Sequence, residues 1–366
     1  MKPIILFCFI LFCSAVSLAQ TNSEILLPEG FSIQPPFNNV SNIGFYNPSF
    51  LSRFNGISAG LSYQYGSSIE KSYSGFIGKS LLNGLPYSAA LSYQLGGFHI
   101  AAAVSQRYNL MLESVNGIDG IINNPDGTNI PVNYRVESDI HDYSLLSSYT
   151  ISSLPEGNSL SLGFRFSLGV LDYDDHFDSA FLLMTSNYSI NSTTFALGAD
   201  YELAFGKGDL NIGAYFEKGF DFQGTIPIKG LGSEHYEEVQ VDVSTPDALR
   251  LDFILDLEKV QVMAEMSQIF WHPVLKDYRN NIDFNTGINY KASDMISVFL
   301  GAFMTDRRYV NNYYSDLSDN DALFLTLGTD VKLWNYTLGL SVSDSHLLSA
   351  ETRRQTIARL NLGCQF

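Results

Sequence analysis

The run Asp172-Tyr173-Asp174-Asp175-His176-Phe177-Asp178 gathers carboxylates that could offer oxygens to Ca²⁺. The regular glycine-containing spacing of a calcium loop is missing, so the run reads as a solvated, charged outer loop. His99, His141 and His272 could serve as bases, but each stands alone and no serine occupies a recognisable nucleophile motif. No enzyme, cofactor or metal site is therefore expected. The remaining chemistry lies in charges set among apolar residues: Arg165, Asp200, Glu202, Arg250, Asp252, Asp256 and Glu265. What they can do depends on which face of which element carries them.

That element is a β-strand. In Leu160-Ser161-Leu162-Gly163-Phe164-Arg165-Phe166-Ser167-Leu168 every second residue is large and apolar, and the others are small or polar. Phe195, Leu197, Ala199, Tyr201, Leu203 and Phe205 repeat the pattern. A period of two gives a strand two unlike faces. The alternating runs last about 9–11 residues, the length of a tilted strand that crosses a bilayer, whereas soluble strands cluster near 5–6. Strands are predicted at 57–66, 86–95, 98–107, 142–151, 159–171, 193–205, 209–218, 247–257, 260–269, 281–290, 295–304, 321–331, 334–343 and 355–366. Tight turns fall at Gly96-Gly97, Gly206-Lys207-Gly208, Glu258-Lys259 and Lys332-Leu333, and the stretches 108–141, 172–192, 219–246 and 305–320 are long and polar. Short turns on one side and long loops on the other are the signature of a transmembrane antiparallel β-barrel. The fold class is all-β, with about fourteen strands.

The ends and the composition agree. Lys2, the apolar Ile4–Phe12 and the small Ser17-Leu18-Ala19 read as a secretory signal peptide over 1–19. An N-terminal periplasmic or hatch segment then covers 20–56, and the barrel covers 57–366. Cys8 and Cys13 fall in the signal peptide, which leaves Cys364 without an internal disulfide partner. Charged residues make up 16% of the chain, against about 25% in a soluble domain. A net charge of −17 excludes a nucleic-acid partner. The last strand ends on Phe366, an aromatic terminus of the kind the outer-membrane assembly machinery reads, and the expected location is the outer membrane, in contact with its lipid.

On the face away from lipid, Arg165, Asp200, Glu202, Arg250, Asp252, Asp256 and Glu265 can pair or solvate. The preferred reading is a structural salt-bridge network; the alternative is a polar gate around a passage for hydrophobes. Before the first strand lies Asn42-Ile43-Gly44-Phe45-Tyr46-Asn47-Pro48-Ser49-Phe50. It resembles the Asn-Pro-Ala segment of the FadL/TodX-type transporters of long-chain fatty acids and aromatic hydrocarbons. Leu85-Pro86-Tyr87-Ser88, Gln106-Arg107-Tyr108 and Asp321-Ala322-Leu323-Phe324 echo the same family further on. The resemblance implies a fourteen-stranded barrel, a hatch seated by Asn47 and Pro48, and passive uptake of small hydrophobic ligands such as fatty acids. Ser49 and Phe50 depart from the family's Ala and Gly. Barrels similar to FadL also serve type IX secretion, so the second reading is a component of a secretion or surface-attachment assembly.

Overall fold

The computed structural model describes residues 39–69, 76–78, 87–114, 132–179, 183–229, 236–270, 280–305, 322–345 and 354–366. The expected signal peptide, Cys8, Cys13, His272 and the first part of the 20–56 segment lie outside them. In chain order the strands are β1 (Ile57–Ile69), β2 (Phe76–Gly78), β3 (Ser88–Leu95), β4 (Phe98–Ser114), β5 (Val132–Ile151) and β6 (Ser159–Ser179). They continue with β7 (Leu183–Phe205), β8 (Gly208–Glu217), β9 (Asp221–Lys229), β10 (Tyr236–Ser244), β11 (Asp247–Leu257) and β12 (Val260–Phe270). The last are β13 (Asn281–Lys291), β14 (Ile296–Thr305), β15 (Ala322–Leu333), β16 (Tyr336–Asp344) and β17 (Arg354–Gln365).

Fourteen of them close a barrel: β1, β3 to β8 and β11 to β17, each antiparallel to its neighbour in chain order. The seam is β1 against β17, from Ser58↔Gln365 to Ile69↔Arg354. Ile57 and Phe366 exchange backbone hydrogen bonds of 2.9 and 2.8 Å at its foot. Closure leaves no strand edge in the hydrocarbon, where an unpaired N–H would be costly. The remaining strands are additions: β2 pairs with the end of β4, and β9 with β10 forms a hairpin between β8 and β11.

The faces follow the alternation. Leu162, Phe164, Phe166 and Leu168 on β6 are exposed outward, whereas Ser161, Arg165 and Ser167 between them are buried inward. Leu325 and Leu327 on β15 face out, while Thr326 is buried. The exposed apolar residues form the band that a transmembrane barrel of the outer-membrane type presents to lipid. Among the described residues no helix is long and apolar enough to cross a membrane.

Three expectations need correction. The loop expected over 172–192 is largely strand, because β5, β6 and β7 run for 20, 21 and 23 residues. Polar residues can stay in a ladder beyond the lipid, since backbone pairing needs no apolar face. The Asp172–Asp178 run therefore belongs to β6. No metal-holding group of acidic, His or Cys side chains forms among the described residues. Last, the turn expected at Lys332-Leu333 lies two residues later, at Trp334-Asn335, with Trp334 in the left-handed region at φ 53°. Alternation continues through Leu333, so only the φ reversal marks the end of β15.

Leu327 is 60% exposed midway along β15. Replacing it with Arg should destabilise the barrel by about 2–4 kcal/mol. Urea titration of the lipid-embedded protein, with Leu327→Ala as the size control, measures this.

Candidate functional site

The lumen is occupied by the chain's own residues 39–56. Two short 3-10 turns, Val40–Asn42 and Pro48–Arg53, with the residues that join and follow them, carry Val40, Ile43, Phe45, Tyr46, Phe50, Leu51 and Phe54, all buried. Most of them pack with Ala101, Ala103, Leu146, Ile254, Met263 and Phe299 of the wall into one apolar cluster. Pro48 starts the second turn, where its missing N–H is not needed.

Asn47 is the anchor of this segment. Its Oδ1 accepts from Ser49 N at 3.1 Å and from the Ser49 hydroxyl at 2.7 Å. Its Nδ2 donates to the Ala199 carbonyl at 3.1 Å and to Asp252 Oδ2 at 3.2 Å. The wall has no side chains where this residue sits. A Cβ at Gly163 would lie 2.1 Å from Ser49 N, one at Gly198 2.0 Å from Asn47 Oδ1, and one at Gly213 3.0 Å from Asn47 Nδ2. Three adjacent strands, β6, β7 and β8, thus contribute a recess of glycine backbone that admits Asn47 and Pro48.

The carbonyls of the preceding turn meet charged donors. Arg107 donates to Gly44 O at 2.6 Å, Arg165 donates to Gly44 O and, at 3.5 Å, to Tyr46 O, and the Tyr215 hydroxyl donates to Phe45 O at 3.1 Å. Glu217 is the counter-ion of this group, 2.6 Å from Arg165, 3.2 Å from Arg107 and 3.9 Å from Arg250. Asp142 takes the other side of Arg107 at 2.9 Å. Arg107 stacks over the Phe45 ring at 5.0 Å, and Arg250 over Tyr215 at 5.4 Å. Phe45 in turn stacks on Tyr87 at 4.9 Å.

Each charge singled out in the sequence lies on an inward-facing position. Arg165 joins the Glu217 group. Asp200 and Glu202 hold Arg53 of the inner segment at 2.7 and 3.1 Å. Asp252 receives Asn47, and its cross-strand partner Glu265 accepts from Asn285 at 2.9 Å, with Arg250 at 4.0 Å. Asp256 stands apart near the turns, with Gln261 at 3.0 Å and Lys291 at 3.6 Å. Sequence reasoning missed Arg53, Arg107 and Glu217. Glu217 shares the inward parity of Tyr215 and was legible; Arg107 sits where a bulge shifts the register between Gln106 and Tyr108. His99 is buried and donates through Nδ1 to Phe54 O at 3.2 Å, whereas His141 lies on β5, away from it.

Beneath the segment, at the end of the barrel with the short turns, a vestibule of about 1000 Å³ is lined by Asn39, Phe54, Asn289, Lys291 and Trp334 among others. Above it, toward the long connections, Ile140, Leu171, Phe220 and Phe222 form a second apolar cluster, flanked by Tyr188 and Ile190.

No protein-family model and no curated protein matches the sequence. Solved structures do match. The toluene transporter TbuX of Ralstonia pickettii superposes with a TM-score of 0.64 over 96% of this chain and 99% of its own, at 14% identity. The fold is FadL-like. A FadL homologue from Pseudomonas aeruginosa follows at 0.61, covering 90% and 95% of the two chains at 11% identity. The toluene transporter TodX of Pseudomonas putida gives 0.57 over 95% and 96%, at 13%. At these identities the likeness is one of architecture. The FadL-like frame nevertheless places the inner segment against a wall whose seat is spelled out in this chain's own glycines.

Glu217→Gln leaves Arg107, Arg165 and Arg250 without their shared counter-ion, a loss of about 3–5 kcal/mol for a buried pair broken on one side. Amide hydrogen exchange should rise across 39–56 while the strands β11 to β16 keep their protection.

Proposed function

We propose that this chain is a passive outer-membrane channel for small hydrophobic compounds, and that residues 39–56 are its hatch. The observation that carries the reading is the placement of the segment. It stands between the apolar cluster of Phe220 and Phe222 and the vestibule, and it is itself an apolar core pinned at its margins by Asn47, Arg53 and the Gly44–Tyr46 carbonyls. A hydrophobe arriving in the mouth meets aromatic and aliphatic side chains before it meets charge. Burying such a molecule gains roughly 25 cal/mol per Å² of apolar surface. Two similar structures are named as toluene transporters, which supports a neutral aromatic compound; a fatty acid would add a carboxylate to place.

The seat explains how a hatch can be both firm and releasable. Its polar contacts with the wall are directional bonds around Asn47, bonds from Arg107, Arg165 and Tyr215 to the Gly44–Tyr46 carbonyls, and ion pairs to Arg53 that are partly exposed. Among the described residues no strand ladder ties it to the barrel. A modest displacement of Pro48 out of the glycine recess would break the Asn47 bonds together, without disturbing the wall.

A second reading is favoured by the length of β5, β6 and β7. At about 3.3 Å per residue these strands extend some 30 Å beyond the membrane band, and a surface-assembly component would work through such a projection.

Native mass spectrometry of gently purified barrel separates the two. A bound hydrocarbon or fatty acid supports the channel; a ligand-free barrel holding a stoichiometric protein partner sinks it. Deleting 40–53 should also let small hydrophilic antibiotics through, read as a lowered inhibitory concentration in cells producing the barrel.

A further inference from the structure

The outer half of the lumen carries a lane of aromatic rings. Tyr173 and Tyr188 are register partners on β6 and β7, and their rings stack at 4.8 Å. One step further in are Leu171 and Ile190, also partners. Phe220 and Phe222, stacked at 5.5 Å, pack there with Leu171 and Ile140. Gly169 makes room for Phe220, since a Cβ on it would lie 2.6 Å from that ring. Directly across the ladder from Gly169 stands Asp142, fully buried and held by Arg107 at 2.9 Å. The lane thus runs inward from a tyrosine pair to a carboxylate.

Charge around the lane is one-sided. The stretches 108–141, 172–192, 219–246 and 305–320, which join the strands at the outer end, hold seventeen Asp and Glu residues against four Lys and Arg. They carry thirteen of the chain's seventeen net negative charges. Among the described side chains of the outer half, each cation already has its partners. Arg107, Arg165 and Arg250 share Glu217, Asp142 and Glu265. Lys218 lies 3.0 Å from Asp247 and 3.9 Å from Asp221. Arg359 donates to Gln64 and, at 2.9 Å, to the Tyr87 hydroxyl. A carboxylate entering here meets ring faces and a surplus of acids.

We propose that the lane selects cargo by charge and that its preferred substrates are protonated aromatic amines, a ring carrying an ammonium on a short arm. This rests on the reading of the barrel as a hydrophobe channel and names the class that channel favours. An aromatic ring presents a negative face, which attracts an ammonium and repels a carboxylate. The ring of such a cargo is buried as a hydrocarbon would be, and the ammonium adds the discrimination. A cleft bearing one sign of charge raises the local concentration of the opposite ion. The outer acids therefore gather the amine, and the rings of Tyr188, Phe220 and Phe222 receive it. A fatty-acid anion is turned away by both.

The test places the full chain in nanodiscs of zwitterionic lipid and measures equilibrium dialysis of three matched probes, with empty discs as the background. The probes are 1-naphthylmethylamine, 1-methylnaphthalene and 1-naphthoate, which are cationic, neutral and anionic at neutral pH. The amine should bind about tenfold more tightly than the hydrocarbon, and the naphthoate more weakly than either. In about 1 M NaCl, where the screening length is ~3 Å, part of the preference should be lost. Phe220→Leu with Phe222→Leu keeps the lane apolar and removes two ring faces, and should bring the amine down to the affinity of the hydrocarbon. Tyr188→Leu, at the outer end, is the milder change and should lower the amine's affinity alone; heat-modifiable gel mobility confirms that both variants are folded. An amine bound no more tightly than the hydrocarbon, or a preference undiminished in the folded variants, overturns the selectivity and leaves the channel standing. If none of the three probes binds, the channel and its selectivity fall together.

Discussion

A chain segment folded inside a barrel has no neighbouring strand, so the wall must supply donors for its backbone carbonyls. At Gly44, Phe45 and Tyr46 those donors are Arg107, Arg165 and Tyr215. Guanidinium groups in a lumen need an opposing charge, and Glu217 provides it to Arg165 and Arg107 at 2.6 and 3.2 Å. The carbonyls, the arginines and the carboxylate form one set whose members lose their compensation together. The rest of the interior is arranged around this set: the glycine recess receives the next residues along, and Arg53 closes the far end on Asp200 and Glu202.

The barrel itself was readable because it repeats. Alternation along β6 and β7, turn spacing and strand parity are local signals, and each recurs around the wall. The errors fell where the local signal stops short of the element. Beyond Leu171 the residues of β6 turn polar although the ladder goes on to Ser179, because pairing is a backbone property. At Leu333 the apolar rhythm passes smoothly toward a turn that only the backbone of Trp334 reveals.

The interior was legible by halves. Parity alone assigns Asp200, Asp252 and Glu265 to the face away from lipid. It says nothing of their partners, because Asn47 reaches Asp252 across 205 positions of sequence and Arg165 reaches Gly44 across 121. The glycines are the subtler case. In sequence Gly163, Gly198 and Gly213 are small residues on a polar face; only the register, with Gly163 opposite Gly198 on adjacent strands, turns them into a recess.

Asn39 of the inner segment touches the seam that closes the barrel. Gly60 and Gly363 are register partners across β1 and β17, and Asn39 lies against both, 2.1 Å and 3.1 Å from where their Cβ atoms would be. The same segment reaches Gly198 and Asp252 on the opposite arc. One short stretch of chain thus braces the closing seam against the middle strands, so that a strain applied to either arc is felt by the other.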